Sequence, residues 1–272
     1  METLFLEQNI CFSAIFFILG AIVGSFLNVA ILRYNTGLSF VRGRSMCFSC
    51  GRELSARDLI PVASYVMLRG KCRTCGSKIS PQYFSVELLT AILFLGVYLK
   101  EGFSLTFILY ATALSLFVFI AVYDLKHKII PDGASYALAI LALFSIFFEG
   151  VHLSLPNAND WSAGIIVALP FVLLWLVSRG RWIGLGDAKL VVSFGWFLGL
   201  PLGISAVMYG FWAGAVWALS ALCWQLVMVR KTRLSTNRNR LTMKSEIPFA
   251  PFLILGFTIA YFFSLNLFDL PF

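Results

Sequence analysis

Long apolar runs alternate with short polar segments along the whole chain. Ile10–Leu32 is 23 residues without a charge. Tyr83–Leu99 is interrupted only by Glu87 near its start, and Phe103–Tyr123, Ala134–Phe148 and Trp161–Ser178 carry no charge at all. Leu190–Val229 is 40 residues without a charge. One helix crosses a bilayer core with about 20 apolar residues, so this run must fold as two. The "LPLG" stretch around Pro201 and Gly203 is the expected break. Ile247–Phe268 is the last run. The pattern predicts an all-α polytopic membrane protein of about eight transmembrane helices, the shortest being Leu190–Leu200.

The polar segments then set the orientation. With the N-terminus outside, segments 33–82, 124–133, 179–189 and 230–246 lie inside. They hold 9, 2, 3 and 6 of the 21 lysines and arginines, and only Lys100 falls outside. Basic residues gather on the cytoplasmic side of membrane proteins, so both termini are expected to face out. The composition agrees: 60% hydrophobic, 12% charged, mean hydropathy +0.87. The net charge of +8 is thereby a topology signal with anionic lipid as its contact, not a nucleic-acid footprint. Glu2 and Glu7 stand where a cleaved signal peptide would carry basic residues, and the first run is long enough to span. No repeat with matching motifs in two halves is visible, which argues against an inverted-repeat transporter.

Six cysteines change the picture of the 33–82 segment. "CFSCGREL" and "CRTCGSKI" place Cys47, Cys50, Cys72 and Cys75 in two C-x-x-C pairs, each followed by glycine, with 21 residues between the pairs. This is a zinc-ribbon-like spacing: two thiolates on a tight turn, a second pair opposite, and a glycine that lets the backbone turn past the ion. A reducing cytosol favours thiolates over disulfides. Four thiolates fill a tetrahedral zinc, so the expected role is structural. Unligated thiols or a redox pair are the alternatives. Cys11 and Cys223 lie in apolar runs and read as small buried hydrophobes.

Two carboxylates sit at the ends of apolar runs. Asp124 closes the third, in "FIAVYDLKHKIIPDG", and Asp187 opens the sixth, in "GLGDAKL". Both fall at the cytoplasmic membrane edge, where a charge costs less than at the bilayer centre. Two neighbouring carboxyls share a proton and can act as base and acid on one water, as in aspartic proteases. Each could equally be a helix-end residue, Asp187 as a cap or first-turn group at the helix dipole; spacing alone does not choose. Gly184 and Gly186 fit either positive φ or the close passage of another backbone, a bound peptide among the options. His127 lies between Lys126 and Lys128 as a solvated residue, His152 falls in an outside loop, and Asp132 after Pro131 reads as a turn or cap of the fourth helix.

Together these pieces resemble the prepilin peptidases, or type IV leader peptidases, a family of GxGD membrane aspartic proteases. Six motifs occur in order over nearly the whole chain: "GSFLNVAILR" (Gly24–Arg33), the paired C-x-x-C, "SPQYFSVELL" (Ser80–Leu89), "DLKHKIIPD" (Asp124–Asp132), "GLGDAKL" and "EIPFAPFL" (Glu246–Leu253). The sequence departs from the family at "RYN", Arg33–Asn35, where a proline usually follows the arginine by two residues, and at Ala250, where glycine is common. The resemblance implies cleavage of the basic leader of type IV prepilins and pseudopilins after a glycine, at the cytoplasmic face of a bacterial inner membrane, with Asp124 and Asp187 catalytic. It also implies N-methylation of the new terminus with S-adenosylmethionine, for which no G-x-G-x-x-G motif gives independent support. Gly24, Asn28, Arg33 and Glu87 stand as candidates for substrate binding or methyl transfer. The implied division is residues 1–100 with the cysteine loop and a methyl-transfer part, 101–229 as the peptidase core, and 230–272 with the basic loop and last helix. A proton-coupled transporter using the same carboxylates is the alternative; their place at the membrane edge counts against it, since transporter sites favour the midplane.

Overall fold

A computed structural model of the chain describes residues 2–149, 152–153, 155–231 and 248–269. The basic loop from residue 232 onward, with Glu246 and Ile247 of the last motif, lies outside the described residues. The long helices are α1 (Glu2–Arg33), α3 (Pro81–Glu101), α4 (Leu105–His127), α5 (Asp132–Ser145), α6 (Ala158–Ser178), α7 (Leu185–Lys231) and α8 (Ala250–Phe263). A short α2 (Ala63–Met67) sits in the cysteine segment, and a two-residue pair, β1 (Phe148–Glu149) and β2 (His152–Leu153), follows α5. Five helical stretches are long and apolar enough to cross a bilayer: Ile10–Arg33, Pro81–Glu101, Leu105–His127, Ala158–Ser178 and Leu185–Trp224. α5 and α8 are apolar but shorter. Large apolar side chains stay exposed on these helices, among them Ile18, Ile92, Ile140, Val177 and Trp217. So much exposed apolar surface suits acyl chains and not water.

Three boundaries differ from the apolar pattern, and each has a physical reason. α7 breaks at Gly199, where φ is 75° and ψ 174°, and not at Pro201 or Gly203. Glycine tolerates that backbone, and Pro201 then falls in the first turn of the following limb, where its missing N–H costs no bond. α4 runs one turn past Tyr123, and α7 begins at Leu185, five residues before the uncharged run starts. Charged residues are admitted into end turns, so hydropathy underestimates both helices. The two extensions carry Asp124 and Asp187.

The chain divides into two compact units, Met1–Phe119 and Ile120–Phe272, with α4 running through the boundary. In the first, α1 packs on α3 through a G-x-x-x-G pair. A Cβ on Gly20 would stand 2.7 Å from the Thr90 carbonyl oxygen, and one on Gly24 2.8 Å from the Glu87 Cα. Removing those side chains lets the two backbones touch, the usual device of membrane helices. Phe16 stacks on Tyr98 at 4.3 Å and meets Phe107 edge-on at 4.7 Å.

In the second unit, α5, α6 and α8 pack on α7. A Cβ on Gly195 would lie 2.5 Å from the Ala163 carbonyl oxygen of α6. On the α8 side, Gly210 and Gly256 face one another, and a Cβ on Gly256 would run into the Ala206 carbonyl. Phe194 and Phe257 fill the space beyond, with centroids 5.0 Å apart and neither side chain exposed.

Candidate functional site

Asp124 lies in the last turn of α4 and is 4% exposed. The helix ends three residues on, at His127, and Lys128 then takes φ 55° and donates its N–H to the Asp124 carbonyl at 2.7 Å. The carboxylate accepts the Ala250 N–H at 3.3 Å. Ala250 is the first residue of α8, so this N–H has no partner within its own helix. The positive end of α8 is thus aimed at a buried carboxylate. Ala250 is fully buried, which accounts for a small residue at this place.

Asp187 stands in the first turn of α7 and is reached by two interactions. Its carboxylate accepts the Gly184 N–H, while its own N–H donates to the Gly184 carbonyl at 3.2 Å. That reciprocal pair is the helix-start arrangement in which the third residue reaches back to the cap. The same carboxylate is within electrostatic reach of Asp124. Helix cap and carboxylate pair were alternatives in the sequence; the backbone bonds make Asp187 a helix-start residue of α7.

Neither Gly184 nor Gly186 has positive φ. A Cβ on Gly186 would come within 3.0 Å of the Ile130 Cβ, so the close passage there is by the α4–α5 linker of this same chain. A Cβ on Gly184 would meet nothing closer than the Asp187 carboxylate, at 3.7 Å. A second contact joins the same two segments. Asp132, first residue of α5, accepts Lys189 Nζ at 2.7 Å, and Lys189 also lies 5.0 Å above the Tyr136 ring. Sequence reasoning passed over Lys189, although its place two residues after Asp187 was a signal. His127 is exposed and rests against the Tyr123 ring at 4.4 Å.

The cysteine segment, in the first unit, gathers all four thiols. The Sγ atoms of Cys47, Cys50, Cys72 and Cys75 lie within 4.8 Å of one another, and none forms a disulfide. The two turns are built alike. Cys47 N–H bonds the Arg52 carbonyl and Gly51 N–H the Cys47 carbonyl; Cys72 N–H bonds the Ser77 carbonyl and Gly76 N–H the Cys72 carbonyl. Gly51 and Gly76 have φ 70° and 67°, the conformation that required glycine. The amides of Cys50 and Ser49, with the Ser77 hydroxyl, pull the Cys47 thiol down to about 6. A tetrahedral site with metal–sulfur bonds of about 2.3 Å separates its sulfurs by about 3.8 Å. Cys47 and Cys75 are 3.9 Å apart, so the cluster fits a metal ion.

Asp58 went unnoticed in the sequence. Its side chain is 2% exposed and bonds Arg52 of the first turn, Arg73 of the second at 2.9 Å, and the Ser55 amide and hydroxyl. One carboxylate therefore joins both cysteine turns. Ser55 and Asp58 form a local capping box, but only the folded-back chain brings Arg73 to the same carboxylate.

The remaining candidates are held within the chain. Asn28 of α1 is 1% exposed and donates to the Tyr83 carbonyl at 3.1 Å. Arg33 donates to the carbonyls of Ser39 and Arg42 and so folds the segment after α1. Gly24 packs on α3. Glu87 is buried, accepts the Val62 N–H at 2.7 Å and is bonded by the Ser25 hydroxyl. Val62 has φ 62° and ψ −53°, with Ala63 N–H closing a three-residue turn on the Pro61 carbonyl at 2.6 Å. That backbone is costly for a β-branched residue, and the bond to Glu87 helps hold it.

Residues 18–101 match the bacterial peptidase A24 N-terminal domain, and residues 111–219 match the type IV leader peptidase family. A prepilin leader peptidase/N-methyltransferase of Bacillus subtilis is 31% identical over 92% of this chain and 94% of its own length. The chain belongs to the type IV leader peptidase family. A prepilin leader peptidase/N-methyltransferase of Vibrio cholerae is 30% identical over 91% of the chain and 95% of its own. A type 4 prepilin-like proteins leader peptide-processing enzyme of Escherichia coli is 31% identical, over 87% and 88%. No solved structure matches. In this leader peptidase family member both aspartates fall in the second matched region and all four clustered cysteines in the first.

Proposed function

We propose that this protein is a membrane aspartic endopeptidase that removes the basic leader of type IV prepilins or pseudopilins, and that it also N-methylates the new terminus. The observation that carries the peptidase reading is Asp124 and Asp187 on different helices within electrostatic reach, in a chain of this family. In this reading the two carboxylates act as a pair, one ionised and one protonated. The ionised member takes a proton from a water, which attacks the scissile carbonyl; the protonated member gives its proton to that carbonyl oxygen. Collapse of the tetrahedral intermediate breaks the C–N bond, and the leaving amine takes up a proton from the dyad.

The dyad faces the cytoplasm in this reading, since the segments that flank it are the basic ones. The membrane is the bacterial inner membrane, spanned by about eight helices with both termini outside, and anionic lipid lies against the basic segments. A prepilin fits: its leader is soluble, its helix is apolar, and the bond between them arrives at membrane depth. Cys47, Cys50, Cys72 and Cys75 would hold a zinc ion, whose role would be structural, cross-linking the two turns. S-adenosylmethionine supplies the methyl group. Asn28 and Glu87 are engaged within the chain, and among the described residues the one buried side-chain polar atom lacking a partner is Arg52 Nε. No step of methyl transfer is assigned to them.

The test is incubation of a purified prepilin with Asp124→Asn and Asp187→Asn. Both variants are expected to leave the leader attached. Full cleavage by either one removes the dyad.

A further inference from the structure

Asp124 and Asp187 belong to helices far apart in sequence, so their separation depends on what ties the end of α4 to the start of α7. The α4–α5 linker is short. Lys128 is bonded back to the Asp124 carbonyl, Pro131 has its φ fixed at −69° by its ring, and Asp132 begins α5. The place of Asp132 therefore follows the place of Asp124. On the other side, Lys189 shares the first turns of α7 with Asp187. The 2.7 Å bond from Lys189 Nζ to Asp132 is thus a tie between the two segments that carry the carboxylates. Ile130 against Gly186 is the apolar half of the same contact.

We propose that Asp132 and Lys189 are positioning residues: their ion pair holds the α4–α5 linker on the first turn of α7 and thereby sets the distance between the two carboxylates. The proposal rests on the dyad reading above. Lys189 is 24% exposed and also lies over Tyr136, one helical turn beyond Asp132 on α5, which adds a cation–π contact. Asp132 is 66% exposed. Such a pair adds little to global stability. Its leverage is geometric, because reacting groups misplaced by about 1 Å lose about 100-fold in rate.

The experiment measures kcat and KM separately on a prepilin for Asp132→Lys, Lys189→Asp and the double exchange. Each single variant is expected to lose about 10- to 100-fold in kcat with KM little changed, and the double exchange to regain most of the loss. The double variant keeps the new carboxylate at position 189, so recovery reports the pair and not the local charge. Single variants with the wild-type kcat, or a double variant no better than the worse single, overturn the proposal. If a charge reversal fails to fold, Asp132→Asn replaces it; an unchanged kcat in that variant, with a wild-type melting profile, also overturns it. Asp124→Asn runs alongside. An active Asp124→Asn defeats the dyad reading, whereas an inactive one beside fully active single exchanges defeats the positioning role alone.

Discussion

The two units hold their polar groups by opposite means. In Met1–Phe119 the four thiols hang on a polar segment, on two turns of matching backbone design joined by a buried aspartate. Each turn is specified within a few residues. In Ile120–Phe272 the two carboxylates sit in end turns of apolar helices. They are placed by contacts that cross long stretches of sequence, such as Ala250 to Asp124 and Lys189 to Asp132. Locally encoded geometry can be preserved by the segment itself. Geometry assembled at helix ends depends on how closely the helices pack.

In the proposed function peptide-bond cleavage belongs to the second unit, and the largest expected effect tests that. Asp124→Asn or Asp187→Asn should lower cleavage by about 10²- to 10⁴-fold or more, while methylation of a pre-cleaved pilin peptide continues. Radiolabelled methyl transfer would break the assignment if it fell in step with cleavage. On the first unit, a Cys47→Ser/Cys72→Ser variant should lose about one metal equivalent by elemental analysis, and segment 34–80 should become susceptible to limited proteolysis. Retention of the metal would mean that the cluster does not hold it.

Packing gives a smaller effect. Gly256→Leu cannot be accommodated between α7 and α8 without moving backbone, and should cost about 1–3 kcal/mol or more, read as a lower melting temperature in detergent. The smallest effect concerns Asp58. Burial raises its pKa, but the Ser55 hydroxyl and amide with Arg73 and Arg52 outweigh that and bring it to about 2. A carboxylate lowered in the folded state stabilises above its ordinary pKa of about 3.9, and that contribution is lost as pH falls through about 2. Asp58→Asn should therefore speed metal release to a chelator at pH 7, with the difference from wild type shrinking below about pH 4. Equal release rates at pH 7 would show that the cysteine turns hold together without Asp58.

What could be read from the sequence follows the same division. Cys47, Cys50, Cys72 and Cys75 were legible because C-x-x-C-G encodes its turn locally. The apolar runs announced the helices, since each must fill a bilayer. Their ends were less legible. Hydropathy stops at the first charge, yet α4 and α7 each continue through charged turns. Pro201 looked like the break in the long run, but a helix admits proline in its first turn, and Gly199 took the strained φ instead. Gly186 signalled a close neighbour without revealing that the neighbour is Ile130. Ala250 and Lys189 were silent because their partners lie on other elements, as does Arg73, the partner that joins Asp58 to the second cysteine turn. Glu87 stood out as a charge within an apolar run, and its carboxylate holds a backbone amide of a strained turn.

The central claim is that Asp124 and Asp187 together cut the leader. Intact-mass analysis of a prepilin incubated with S-adenosylmethionine and wild type, Asp124→Asn or Asp187→Asn tests it most directly. The account predicts a product cut after glycine and one methyl heavier with wild type, and uncut prepilin with both variants. Cut product from either variant would contradict it.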